Sequence, residues 1–132
     1  MKALDTNVLV RYLTKDNHAQ WNVANAYIRK HCTAETPGYI NLIVLCEMVW
    51  VLVSFYKYEK IHIATLIEGI LRTPQLVVQD ADSVWEVLSH YTSTNIDFAD
   101  ALIAKINRKT GYSQTATFDK KTAKIEGFEL LR

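Results

Sequence analysis

Residues 41–56 read NLIVLCEMVWVLVSFY. The stretch is almost wholly apolar, yet it falls short of the about 20 residues that a bilayer-spanning helix needs. A helix apolar on every face belongs inside a globular core, so this segment is expected at the centre of the protein, with Asn41 as its cap. Glu47 interrupts it in mid-run. An unpaired carboxylate in a core costs several kcal/mol. Glu47 therefore either pairs with a Lys or Arg at a gap in the core, or reaches a cleft as a metal-binding or catalytic carboxylate. The rest of the chain decides, by offering or withholding more acids in the same situation.

On the N-terminal side, Lys2 to Asp5 reads as a short buried strand, ending at Asp5-Thr6-Asn7, residues that favour turns and caps. Val8 to Leu13 predicts a short helix. A second helix, capped by Asp16 or Asn17, runs to about Cys32, with Trp21, Ala24 and Ile28 on one face. Thr36-Pro37-Gly38 breaks the chain, and Gly38 to Ile40 is short and extended. On the C-terminal side, Lys57 to Lys60 is a polar joint. Ile63, Leu66, Ile67, Ile70 and Leu71 then mark an amphipathic helix from about Ile61 to Arg72, stopped by Thr73-Pro74.

Leu76 to Val78 reads as a buried strand. Ser83 with Glu86 fits a capping box for a helix whose apolar face is Val84, Val87, Leu88 and Tyr91. After the polar loop Thr92 to Ile96, Asp97 can cap a helix from Phe98 to Lys109 with Ala99, Leu102, Ile103 and Ile106 as its buried stripe. Gly111 is placed to stop it. Ser113 to Phe118 and Phe128 to Leu131 are the last strands. There is no internal repeat, linker or low-complexity segment. Strands alternating with helices imply an α/β fold with a mainly parallel central sheet flanked by helices. In such sheets ligands bind beyond the carboxyl ends of the strands.

At 132 residues the chain is expected to be one domain with a real core. Its 49% hydrophobic and 22% charged content is ordinary for a soluble protein. The N-terminus meets an acid at Asp5 before any apolar run can build, unlike a signal peptide. With no transmembrane segment either, the expected location is the cytoplasm. Cys32 and Cys46 match no zinc spacing, and His18, His31, His62 and His90 are scattered. A net charge of +1 gives no global pull on nucleic acid.

The acids are more telling. Asp5 and Asp119 each follow a strand and are expected at the carboxyl edge of the sheet, while Asp97 and Asp100 open a helix on neighbouring positions. Singly, Asp5 and Asp119 read as turn residues and Asp97 as a cap. Jointly, acids gathered at one sheet edge repel one another unless a cation sits among them. All-oxygen ligands suit Mg²⁺ or Mn²⁺ and not zinc.

The ordered set Leu4-Asp5-Thr6-Asn7, Glu47 in a helix, Asp97-Phe98-Ala99-Asp100-Ala101-Leu102-Ile103-Ala104 and Thr117-Phe118-Asp119 resembles a PIN domain, and more narrowly the VapC-type toxins of bacterial toxin–antitoxin pairs. The resemblance spans nearly the whole chain, residues 1–132. It implies an endoribonuclease whose Mg²⁺ or Mn²⁺ is held by Asp5, Glu47, Asp100 and Asp119. Thr6, Asn7 and Thr117 then support the site, and Asp97 is a cap and outer acid. It also implies a small antitoxin partner and a homodimer. The aromatic residues Trp50, Phe55, Tyr56 and Tyr58 exceed what one small core obviously needs, although Trp50 also suits core packing.

Lys105, Arg108, Lys109, Lys120, Lys121 and Lys124 are candidate RNA contacts, or equally a solvated face. Two other classes compete. A phosphotransferase using Asp5 as covalent nucleophile wants a second Asp two residues on, where Asn7 stands. A non-catalytic RNA- or protein-binding module on the same fold has no need of the full acid set.

Overall fold

Asn41 opens the apolar helix as expected: its backbone is extended and its side chain accepts a hydrogen bond from the Val44 N–H at 2.8 Å. A computed structural model describes all of residues 1–132. It divides into two compact units, Met1–Ala81 and Asp82–Arg132.

The first unit contains α1 (Thr6–Thr14), α2 (His18–His31), β1 (Gly38–Ile40), α3 (Leu42–Ser54), α4 (Lys60–Leu71) and β2 (Leu76–Val78). β1 and β2 pair in parallel, with Gly38 opposite Leu76 and Ile40 opposite Val78. The strand expected over Lys2 to Asp5 shrinks to a single parallel bridge between Ala3 and Tyr39. Tyr39 N donates to Lys2 O and Leu4 N to Tyr39 O, both at 2.9 Å. Asp5 already has the extended backbone of a helix cap, so the chain turns into α1 before a longer ladder can form.

The core of this unit is built by Leu9 and Val10 of α1, Ile40, Leu45, Met48 and Leu52, and Ile63, Ile67 and Ile70 of α4. α3 is not buried all round, which corrects the reading of an apolar segment at the centre. Val44, Leu45, Met48, Val49 and Leu52 point inward, while Ile43, Trp50 and Val53 are exposed. α1 and α4 cover part of its circumference, and within the unit the Ile43–Trp50 stripe is left in solvent. Trp50, 61% exposed, is therefore not a core residue.

The second unit contains nearly all of α5 (Ala81–Tyr91), then α6 (Phe98–Lys109), β3 (Thr115–Thr117), a 3₁₀ turn at Thr122–Lys124 and β4 (Phe128–Leu130). β3 and β4 are again parallel, with Thr115 opposite Phe128 and Thr117 opposite Leu130. The hydrogen-bonded strands are thus two parallel pairs, one in each unit, where the sequence suggests one sheet. Phe98 is buried edge-on against Tyr91 at a centroid distance of 5.6 Å. Phe98, Leu102 and Ala104 form the inner face of α6, and Ile103, expected inside, is exposed.

Asp80, in the left-handed region at φ 50°, turns the chain into α5 ahead of the expected capping box. Ser83 consequently lies inside the helix with a buried, unpartnered hydroxyl. Gly111 stops α6 at φ 95°. There Tyr112 N donates to Asn107 O and Gly111 N to Arg108 O, the paired bonds of a Schellman end.

Candidate metal centre

In the first unit, Asp5 caps α1, and its Oδ1 accepts from the Thr6 N–H at 2.8 Å. The Thr6 hydroxyl donates to Glu47 Oε1 at 3.1 Å, tying the cap of α1 to the middle of α3. Glu47 is exposed and lines a cavity of about 490 Å³ together with Asp5, Thr6 and Asn7. It occupies no gap in the core and has no Lys or Arg partner, so the reading of a core acid paired with a base does not apply.

In the second unit, Asp97 caps α6 by accepting from the Asp100 N–H at 3.2 Å. Asp100 is partly buried, and its Oδ2 accepts from the hydroxyl of buried Thr122 at 3.1 Å. Burial first, and then the negative charges of Asp97 and Asp119, push the Asp100 carboxyl above its usual range, while the Thr122 hydroxyl works the other way. Asp119 moves in the opposite direction. Its Oδ1 accepts from the Thr122 N–H at 3.2 Å and the Lys121 N–H at 2.8 Å, and these bonds hold it below the usual range. The Thr117 hydroxyl accepts from the Asp119 N–H at 3.1 Å and fixes the turn after β3.

The chain's ion pairs go to other acids: Arg11 to Asp16, Arg72 to Glu68, Lys105 to Glu86 and Arg108 to Glu126. Asp5, Glu47, Asp97, Asp100 and Asp119 are held by hydroxyl and backbone N–H donors instead. Oxygen-only donors outside any Lys or Arg ion pair fit a hard divalent ion in kind. Within neither unit do three His, Cys, Asp or Glu side chains group closely enough to hold one as they stand. The first unit offers Asp5 and Glu47, the second Asp100 and Asp119 with Asp97 behind.

Sequence reasoning missed Thr122, whose hydroxyl and N–H serve both acids of the second unit. Its signal was weak: a threonine three residues after Asp119, where an Asx-type turn brings a backbone N–H back to the carboxylate. It also missed Arg11, the single basic residue in α1, four residues from Asn7 on the same face. Of the candidate RNA contacts, Lys105 and Arg108 are engaged by Glu86 and Glu126 and are not bare cations. Lys109, Lys120, Lys121 and Lys124 are exposed.

The profile of the PIN domain family matches residues 2–127, a span that includes every acid described above. The chain belongs to the PIN domain family. PIN domains are generally metal-dependent nucleases, which sets the class of this protein. No curated protein matches the chain. No helix is long and apolar enough to cross a membrane.

Proposed function

We propose that this PIN domain, taken over residues 1–132, is a Mg²⁺- or Mn²⁺-dependent endoribonuclease and the toxin of a VapBC-type pair. The observation that carries the reading is the set of acids held by hydroxyl and amide donors, none of them in an ion pair with Lys or Arg. The ligands are Asp5, Glu47, Asp100 and Asp119. A bound divalent ion supplies a nucleophilic water, shields the phosphate and stabilises the leaving oxygen.

The chain's own residues prepare the ligands. Thr6 fixes the carboxylate of Glu47, and Asp5 is fixed by capping α1. Thr122 orients Asp100, and the amides of Lys121 and Thr122 keep Asp119 ionised. Asp97 holds the first turn of α6, which carries Asp100. The exposed basic residues Lys109, Lys120, Lys121 and Lys124 contact the RNA backbone.

The exposed apolar residues Ile43, Trp50 and Val53 support a homodimer and a small antitoxin as protein partners. The protein acts in the cytoplasm. The test is cleavage of total RNA with mapping of fragment ends, in Mg²⁺ or Mn²⁺ and in EDTA. Discrete new ends that appear only with metal are expected, along with toxicity on expression that the neighbouring small open reading frame relieves. Cleavage that persists unchanged in excess EDTA overturns the mechanism. RNA bound but never cut would make the chain a non-catalytic module.

A further inference from the structure

Arg11 is the one cation lining the cavity beside Asp5 and Glu47. It comes from α1 and is held from two directions. Its Nη1 donates to Asp16 Oδ1 at 3.3 Å and to the Tyr56 hydroxyl at 3.1 Å. Tyr56 in turn donates to Asp16 Oδ2 at 2.7 Å. That hydroxyl first, and then the Thr14 hydroxyl, keep the Asp16 carboxyl below its usual range, so the anchor stays charged. All the protein bonds of Arg11 are made by Nη1. Nε and Nη2 are left over, on a side chain about one-third exposed. A guanidinium fixed by one nitrogen, on a residue that lines a cavity, and with Nε and Nη2 unused, is suited to a phosphate oxygen.

The same cavity has an aromatic wall. Phe55 closes α3 and lines it beside Tyr56, yet remains 69% exposed. Trp50 meets it edge-to-face at 5.4 Å and steadies the ring. A large, exposed ring beside a single poised cation, next to two acids suited to a metal, is the combination that single-stranded nucleic acid uses: a base on the ring and its phosphate on the cation. An apolar peptide would leave Arg11 unused, and a free phosphate would leave Phe55 unused.

We propose that this cavity is a nucleotide subsite for single-stranded RNA, in which Phe55 stacks one base and Arg11 binds the adjacent phosphate. The subsite rests on the reading of the chain as a ribonuclease and extends it to the recognition of the strand beside the cut. Tyr56 and Asp16 are positioning residues that set the direction of the guanidinium.

The experiment is fluorescence anisotropy with a labelled single-stranded oligoribonucleotide of mixed sequence. It is run across a salt series with Ca²⁺ in place of Mg²⁺, and the probe is checked on a gel for integrity after each titration. Cleavage of the same probe in Mg²⁺ is measured alongside. Phe55→Ala should weaken binding about tenfold, the scale of one lost base–aromatic stack, and Phe55→Tyr should keep it. Arg11→Gln should weaken binding and reduce the slope of log affinity against log salt by about 0.7, one phosphate contact on a single strand. Arg11→Lys retains the charge and should retain the slope; Tyr56→Phe removes the bonds that aim the guanidinium and should weaken binding while the charge stays in place.

Wild-type cleavage with Phe55→Ala binding as tightly as wild type, or with Arg11→Gln keeping the full slope, overturns the subsite and leaves the nuclease standing. The expected binding pattern without Mg²⁺-dependent cleavage removes the nuclease and keeps the subsite. A wild-type protein that does not bind the probe overturns both. If Arg11→Gln fails to fold, Phe55→Ala against Phe55→Tyr still decides.

Discussion

Thr122 donates its hydroxyl to Asp100 across 22 residues of chain, at 3.1 Å, while its backbone N–H reaches Asp119. One residue therefore serves two acids whose carboxyl pKa values move in opposite directions. Thr122→Val keeps the N–H and the shape but removes the hydroxyl. It should cost about 1 kcal/mol, the scale of one intramolecular hydrogen bond, and raise the Asp100 pKa further. Thr122→Ser should restore both. Thermal unfolding and carboxyl-carbon NMR titration check this; an Asp100 that titrates identically in Thr122→Val would show that the hydroxyl does not hold it.

Thr6 plays the matching part for Glu47, but at the surface. Thr6→Val should change stability little, because the bond it loses is exposed. Metal-dependent cleavage should fall about 10- to 100-fold, as when a group orienting a metal ligand is removed. Isothermal titration with Mn²⁺ on wild type, Thr6→Val and Thr6→Ser separates the effects. Equal Mn²⁺ affinity in all three would confine Thr6 to helix packing.

The local settings of Asp5, Asp97 and Asp119 were legible because each sits at a punctuation point. Asp5 and Asp97 are helix caps and Asp119 ends a strand, and such positions depend on local chain chemistry. The sequence carried the orientation of α3 poorly. A helix apolar on every side has no periodic signal to say which side faces solvent, so Trp50 could not be placed until its neighbours were known. The strand at Lys2 was misjudged for a related reason: a cap at Asp5 leaves too few residues for a ladder. Arg11, Tyr56 and Thr122 matter through partners far away in the chain, and single-sequence spacing does not report such contacts.

The two opposed carboxyls predict opposed pH responses in metal-free protein. Asp100 is raised in the fold, so its contribution to stability is fully present below the unfolded value of about 3.9 and is lost as pH rises through the folded one. Asp119 is lowered, so its contribution is present above about 3.9 and is lost as pH falls through the folded value. Relative to wild type, Asp100→Asn should therefore gain stability as pH rises from about 4. Asp119→Asn should be the weaker protein near neutrality and close the gap on acidification. Melting curves in EDTA from roughly pH 3 to 7 test the pair. Differences that run in the same direction for both variants would contradict the assignment.

Asp100→Asn also separates a metal ligand from a structural acid. Asp97 and Asp119 repel the Asp100 carboxylate, and the asparagine oxygen can still accept from Thr122. The variant should be at least as stable as wild type without metal, by about 1 kcal/mol, the usual size of a substitution but opposite in sign. Mg²⁺ binds only the folded state, so it should raise the wild-type melting temperature by mass action. Asp100→Asn should lose most of that rise and its RNA cleavage together. A structural ion pair behaves otherwise: removing one partner of a buried pair costs about 3–5 kcal/mol with or without metal. Thermal unfolding of both proteins in EDTA and in Mg²⁺ distinguishes the two. An Asp100→Asn protein that melts far below wild type in EDTA, with both responding equally to Mg²⁺, would make Asp100 a structural residue and remove it from the ligand set.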